Sequence, residues 1–307
     1  MKFTYESDPY FDMIVNIAYE KYCTEVSYHS FLKPTAKKIF SAFLHKEFSK
    51  AKCITALEND QCIGFILFYD NDEGDENWCS IPVWGYGANN EKTMSYLFST
   101  LAENIVTDKT TTFSVRLYAH DQPIQRLFTY MQFGIICKRT VRQISKIECD
   151  DHMKVRKMDK EELIKRWNEI WYLLSQLINH LKKSPVFYPG KEFTESVYQS
   201  FLSSEDTTVY IAEDENKIVG LIEANSENYD IAFMDNPAVN VGEAYVLPQY
   251  RGKQLAQALL SCLENDLLQN QHQYDWVQHG TANPNARGFW NKYFETFEYE
   301  FIRKIER

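Results

Sequence analysis

The residues best suited to chemistry lie in one run, Gly242-Glu243-Ala244-Tyr245-Val246-Leu247-Pro248-Gln249-Tyr250-Arg251-Gly252-Lys253-Gln254-Leu255-Ala256-Gln257-Ala258-Leu259-Leu260. It reads as a strand, a short loop with one glycine and two cations, and an apolar helix. A helix N-terminus offers unpaired N–H groups and the positive end of the helix dipole, and both favour a phosphate. Arg251 and Lys253 add positive charge, and Gly252 lets backbone come close to a ligand. The same residues also suit a solvated turn before a helix.

Other reactive side chains form no pattern. Cys23, Cys53, Cys62, Cys79, Cys137, Cys149 and Cys262 are scattered without a Cys-x-x-Cys pair. That favours reduced thiols over disulfides or a zinc knuckle. No histidine is read as pairing with a cysteine or carboxylate at metal-ligand spacing, so no metal is expected. His279 reads as a structural hydrogen-bonding group and Cys262 as a small core residue.

The elements around the loop occur twice. Cys53–Leu57 and Cys62–Phe68 flank the polar turn Glu58-Asn59-Asp60-Gln61; Thr208–Ala212 and Lys217–Ile222 flank Glu213-Asp214-Glu215-Asn216. Each reads as a β-hairpin. The first is followed by a strand at Ser80–Trp84, a helix at Glu91–Val106, a strand at Phe113–Leu117 and a helix at Pro123–Gln132. The second is followed by a strand at Val241–Leu247, a helix at Leu255–Asn270, a strand at Trp276–Gln278 and a helix at Ala286–Tyr293. This is a repeated mixed α/β domain. A basic strand is expected over Lys138–Lys146, then a boundary at the acidic connector Glu148-Cys149-Asp150-Asp151-His152. Domains 1–150 and 151–307 follow, the second opening with a long amphipathic helix over Lys160–Leu181.

The 307 residues are 44% hydrophobic and 25% charged, which excludes wholesale disorder. A net charge of −10 disfavours nucleic acid and suits a cationic or amine-bearing partner. The opening residues carry no signal-peptide core and the longest apolar run, Ile63–Tyr69, is too short to span a bilayer. A cytoplasmic protein with no membrane contact is expected.

The loop resembles the acyl-CoA motif of the GNAT acyltransferase superfamily, Arg/Gln-x-x-Gly-x-Gly/Ala after a strand ending in Val-x-Pro. Here Val246-Leu247-Pro248 precedes Arg251-Gly252-Lys253-Gln254-Leu255-Ala256, with Gln254 where the family has a glycine. Downstream, Asn283-Pro284-Asn285-Ala286-Arg287-Gly288-Phe289-Trp290 resembles the family's Asn-x-x-Ala-x-x-Phe-Tyr, with Trp290 in place of the tyrosine. The resemblance covers Met153 to Arg307. It extends more weakly to the first half, where Tyr130–Ile135 looks like the family's Tyr-x-x-x-Gly-Phe helix end. There Trp84-Gly85-Tyr86-Gly87-Ala88-Asn89-Asn90-Glu91 replaces the loop and carries no cation.

The resemblance implies two tandem GNAT-like domains, each a mixed, mostly antiparallel twisted sheet flanked by helices. The first is a degenerate repeat shaping an acceptor pocket or interdomain surface. The second transfers an acetyl group from acetyl-CoA to an amine of a small molecule or peptide. Acetyl-CoA would be held by Val246, Leu247, Arg251, Gly252, Lys253, Gln254, Leu255, Ala256, Asn283, Ala286, Phe289 and Trp290. Glu243 is the candidate general base, with Glu223 as a second carboxylate, and Tyr293 the candidate acid. Acceptor contacts are expected around Trp167–Gly190, with the loop Lys183–Gly190 as a cap. The alternative is a GNAT-like protein that binds acyl-CoA, or only packs, without turnover. A homodimer is compatible with the aromatic-rich composition.

Overall fold

The computed structural model describes residues 1–149, 154–183, 186 and 194–306. Most of the loop expected to cap the acceptor, and part of the acidic connector, lie outside the described residues.

The chain forms two compact units, Met1–Lys138 with Thr296–Arg307, and Arg139–Glu295. This differs from a division at 150/151, and pairing explains it. The final strand, β13 (Glu295–Ile305), runs antiparallel to β6 (Thr110–Tyr118) and so joins the first unit. The second half of β7 (Gly134–Gln143) bonds within the second unit, where Thr140 Oγ1 donates to Val277 O at 3.2 Å.

In the first unit the strands β1 (Lys2–Thr4), β2 (Lys52–Glu58), β3 (Gln61–Glu73) and β4 (Glu76–Ile81) are followed in space by β6 and β13. β5 (Tyr86–Ala88) pairs with β3, and β4 with β6 is the parallel pair. Helices α1 (Phe11–Val26), α2 (Lys37–Phe48), α3 (Glu91–Ile105) and α4 (Gln122–Tyr130) complete the unit. In the second unit β8 (Lys154–Met158), β9 (Thr207–Asp214), β10 (Lys217–Asn225) and β11 (Val239–Val246) form an antiparallel run. β12 (Tyr274–Gly280) lies parallel to β11.

Both expected hairpins form, and their turns show why. Asn59 and Asp60 have φ of 51° and 59°, Glu215 and Asn216 of 47° and 64°. Two successive left-handed residues make the turn whose twist matches that of the flanking strands.

The helices of the second unit are α5 (Lys160–Lys165), α6 (Trp167–Leu181), α7 (Glu195–Ser203), α8 (Leu255–Gln269) and α9 (Pro284–Tyr293). The single helix expected over 160–181 is broken at Arg166, which leaves helical geometry with φ −106° and ψ 19°. Its guanidinium is drawn to Glu162, Glu169 and Glu213. One face of the sheet is covered by α8 and α9, the other by α6 and α7. On α8 the buried Leu255, Leu259, Leu263 and Leu267 recur every four residues, one stripe of a helix. Each such leucine contributes about 1.5–3 kcal/mol of burial. That packing fixes the helix N-terminus relative to the strand before it. Among the described residues no helix is long and apolar enough to cross a membrane.

Candidate active site

β11 and β12 start as parallel neighbours, but register holds only at Val239–Asp275 and Asn240–Trp276. Beyond Asn240 the strands separate, and a cleft of about 460 Å3 opens in the second unit. Val246, Arg251, Gly252, Gln254, Leu255 and Ala256 line it from the loop side, and Asn283, Ala286, Phe289, Trp290 and Tyr293 from α9. Glu243, Leu247 and Lys253 are not among its lining residues.

The divergence leaves backbone donors open. Along an antiparallel strand successive N–H groups alternate in direction. Leu247 N–H donates to Val219 O at 3.0 Å, and Glu243 N–H to Glu223 Oε1 at 3.1 Å, so both point to β10. The N–H groups of Ala244 and Val246 therefore point the other way, where β12 has moved off. Leu247, expected to hold ligand, has its N–H spent within the sheet.

The loop is built around left-handed backbone. Gly252 has φ +76°, and Gln254 takes φ +58° and ψ 11° directly before α8. Gln254 makes no side-chain cap, so the first amides of α8, at Leu255, Ala256 and Gln257, have no capping acceptor among the described residues. Arg251 is committed locally: its Nε donates to Val246 O at 3.0 Å and its guanidinium lies 5.3 Å from the Tyr245 ring centroid. Lys253 Nζ sits 5.4 Å from the Tyr250 ring centroid. A non-glycine residue in the left-handed region costs about 1–2 kcal/mol. Part of this returns as unfolded-chain entropy when glycine is restored. Gln254→Gly is therefore expected to stabilise the chain by roughly 0.5–1 kcal/mol, a rise of about 1–3 °C in Tm by calorimetry. An unchanged or lowered Tm would show that the loop carries no strain.

The corresponding stretch of the first unit is constructed differently. Asn90 caps α3 by accepting from Thr93 N–H at 2.9 Å. A side chain at Gly87 would lie 2.5 Å from Ile17, and one at Gly85 would lie 2.7 Å from Leu67 O. These glycines answer close packing, and the helix amides they precede are already capped.

On α9, Asn283 Oδ1 accepts from Asn285 N–H (3.2 Å) and Ala286 N–H (3.3 Å). It is the helix cap, so its role toward the cleft is to set the start of α9. Trp290 is buried among Phe289 and Phe294, with ring centroids at 4.8 and 5.5 Å, and serves the core as much as the cleft. Tyr293 reaches the cleft. Arg142 of β7 fixes it, donating to Tyr293 O at 2.9 Å with the guanidinium 5.7 Å from the ring centroid. Arg142 also pairs with buried Glu264 at 2.8 Å.

Glu243 is half-buried, on the face of β11 shared with Tyr245 and covered by α6 and α7. Its Oε1 accepts from Tyr198 Oη of α7 at 2.7 Å. Burial raises its carboxyl above the ordinary range, and the Tyr198 bond opposes that rise. Tyr198 carries no motif and was not expected; the only sequence signal nearby is the helix-capping Thr194. Glu223 is sealed at 1% exposure at a bulge of β10, between Ile222 and Ala224. Of the two carboxylates, Glu243 is the more exposed.

Histidine spacing needs correction. Glu25 lies in the last turn of α1 and His29 four residues on, just beyond it, and the fold brings His120 to the same carboxylate, Glu25. The first two were legible in sequence as an i, i+4 pair; the third comes only from the fold.

Residues 173–295 match the model of the acetyltransferase (GNAT) family. The match ends at Glu295, where the second unit ends. A search of curated proteins finds no match. Among solved structures, a GCN5-related N-acetyltransferase from Sphaerobacter thermophilus is similar at TM-score 0.57 and 11% identity, over 95% of this chain and 92% of that one. A GNAT-family acetyltransferase from Colwellia psychrerythraea is similar at TM-score 0.51 and 11% identity, over 100% of both chains. At that identity the likenesses speak for the fold alone. The chain therefore carries a match to the acetyltransferase (GNAT) family over residues 173–295, within the second unit, and over its whole length a fold similar to that of solved GNAT structures.

Proposed function

We propose that the second unit is an acetyl-CoA-dependent N-acetyltransferase for an amine acceptor. The observation that carries this is the pairing of an uncapped helix N-terminus at Leu255–Gln257 with a strand splay that frees the Ala244 and Val246 amides. The α8 amides and Gly252 would take the pyrophosphate, and the cleft between β11 and α9 the pantetheine arm. The Val246 N–H would hold the developing oxyanion. Glu243 removes a proton from the alkylammonium, whose pKa near 10 keeps it charged at neutral pH. The neutral amine attacks the thioester carbonyl and forms the C–N bond, the C–S bond breaks, Tyr293 protonates the departing thiolate, and the proton released by the new amide nitrogen restores Tyr293. Holding the two reactants in line supplies about 7–11 kcal/mol of the barrier. The acidic chain, net −10, suits a cationic acceptor drawn to the α6–α7 side, where Glu243 lies. The first unit is read as a degenerate repeat, and the protein as cytoplasmic.

A second reading is an acyl-CoA-binding protein without turnover. It is favoured by Trp290, which is packed into the core where the family motif has a tyrosine. Calorimetric titration with acetyl-CoA tests the common part. One site per chain is expected. Gly252→Asp should weaken binding at least about tenfold, while Gly252→Asn, with similar backbone strain and no charge, keeps most of it. Equal losses in both would assign the effect to strain and remove the phosphate reading. Release of free thiol with a panel of amines then separates turnover from binding.

A further inference from the structure

The first unit holds its own cleft, of about 450 Å3, between α1 and the end of β6. Glu25 and His120 line it, and His29 reaches the same carboxylate from just beyond α1. Glu25 Oε1 lies 2.8 Å from His120 Nδ1 and 3.2 Å from His29 Nε2. The three donor atoms all fall within 4.8 Å of one another. We propose that Glu25, His29 and His120 bind a divalent transition-metal ion, zinc by preference, with a fourth coordination position facing this cleft.

Two imidazoles and one carboxylate are a borderline donor set suited to zinc, and three protein ligands leave a position for water or substrate. Zinc–ligand bonds of about 2.0–2.1 Å at tetrahedral angles separate donors by about 3.3 Å. The two separations from Glu25 Oε1, 2.8 and 3.2 Å, are within about half an ångström of that value, and the two histidine nitrogens lie within 4.8 Å of each other.

Charge argues the same way. Glu25 is 1% exposed, and its ion pairs among the described residues are with the two histidines only. Lys21, on the same cleft, pairs instead with Asp121 at 2.6 Å. Glu25 also lies in the last turn of α1, the negative end of the helix dipole, and that turn has no basic residue. A cation at Oε1 would offset both.

The surroundings hold the ligands in place. The backbone N–H of His120 donates to Glu25 Oε2 at 3.0 Å, which leaves Oε1 for the ion. The His120 ring stacks on Tyr28 at 4.0 Å and 6°, and His29 lies against Phe297 at 5.4 Å and 23°. A separate feature also points to a ligand. Tyr118, 2% exposed, lines the cleft with a hydroxyl that has no hydrogen-bond partner among the described residues. Water carried by the ion is the kind of partner this hydroxyl lacks.

The test is zinc titration of the untagged, chelator-stripped full chain in competition with a chromophoric chelator. One zinc per chain is expected. His120→Ala, at the most exposed of the three ligands, and Glu25→Gln should each weaken binding at least about tenfold. Cobalt(II) should give the visible absorption of a four-coordinate site in the wild type and lose it in His120→Ala. Circular dichroism confirms that His120→Ala is folded; if Glu25→Gln is not, His120→Ala alone decides. Zinc below about one-tenth of an equivalent would overturn the proposal, leaving a buried hydrogen-bonded triad. So would zinc binding that the His120 variant leaves unchanged. Acetyl-CoA binding by the second unit is measured separately and is not at stake.

Discussion

Glu243→Gln is expected to lower kcat by about 10²–10⁴ while leaving acetyl-CoA affinity within about twofold. The substitution is nearly isosteric, and its amide oxygen can still accept the 2.7 Å bond from Tyr198 Oη. The fold and cleft should therefore survive, and what is lost is the capacity to take a proton. The kinetic signature is a fall in kcat and kcat/KM with little change in the Kd for acetyl-CoA. The pH profile gives a second readout. Burial lifts the Glu243 carboxyl above its ordinary range, so the rising limb of kcat/KM should lie above that range too. Tyr198→Phe removes the bond that opposes this rise and should move the limb to higher pH. If Glu243→Gln retained the wild-type rate, Glu243 would leave the mechanism while the family match over residues 173–295 stood. If no amine were acetylated by the wild type despite tight acetyl-CoA binding, the reading without turnover would stand instead.

The path from sequence to site depended on what each residue's role needed from its neighbours. The hairpins were legible because their turns rest on residues adjacent in the chain, Asn59-Asp60 and Glu215-Asn216. The loop at Arg251–Gln254 was legible because its glycine, its cations and the apolar helix after it are contiguous. Tyr198 was not, because its one telling feature is a bond across 45 residues to Glu243. Arg142 is similar: it pins Tyr293 from a strand 151 residues earlier. The return of β13 to pair with β6 also escaped sequence reading, because an antiparallel partner leaves no local mark. Asn283 shows a different limit. Its place before a helix is plain in the sequence, but only the structure gives its Oδ1 to the cap of α9.

Stability of the chain is expected to fall by about 5 kcal/mol through Glu223 alone as pH rises from about 4.5 to about 8. Glu223 is 1% exposed and has no Lys or Arg partner among the described residues. Its oxygens accept from Glu243 N–H at 3.1 Å and Asn225 Nδ2 at 3.4 Å. Gly242 leaves it room: a Cβ there would lie 1.7 Å from Glu223 Oε1. Burial outweighs the backbone bond and pushes the carboxyl up to about 8 from an ordinary 4.5. Between those values the folded chain holds a proton that the unfolded chain has released. Stability is therefore fully present below the unfolded value and drains away as pH climbs to the folded one. Glu223→Gln carries no ionisable group at this position, so it should match the wild type near pH 4, exceed it increasingly up to about pH 8 and keep a constant lead above that. Urea unfolding of both proteins across that range checks this, with the difference between their curves cancelling every other titration. Parallel curves would mean that Glu223 ionises inside the folded chain without penalty. The same experiment bears on catalysis. A carboxyl that keeps its proton at neutral pH cannot serve as the base, and the charge of neighbouring Glu243 helps hold that proton in place. Glu243→Gln should therefore shift the decline in stability to lower pH, a coupling that only two carboxyl groups sharing this stretch of β10 and β11 would show.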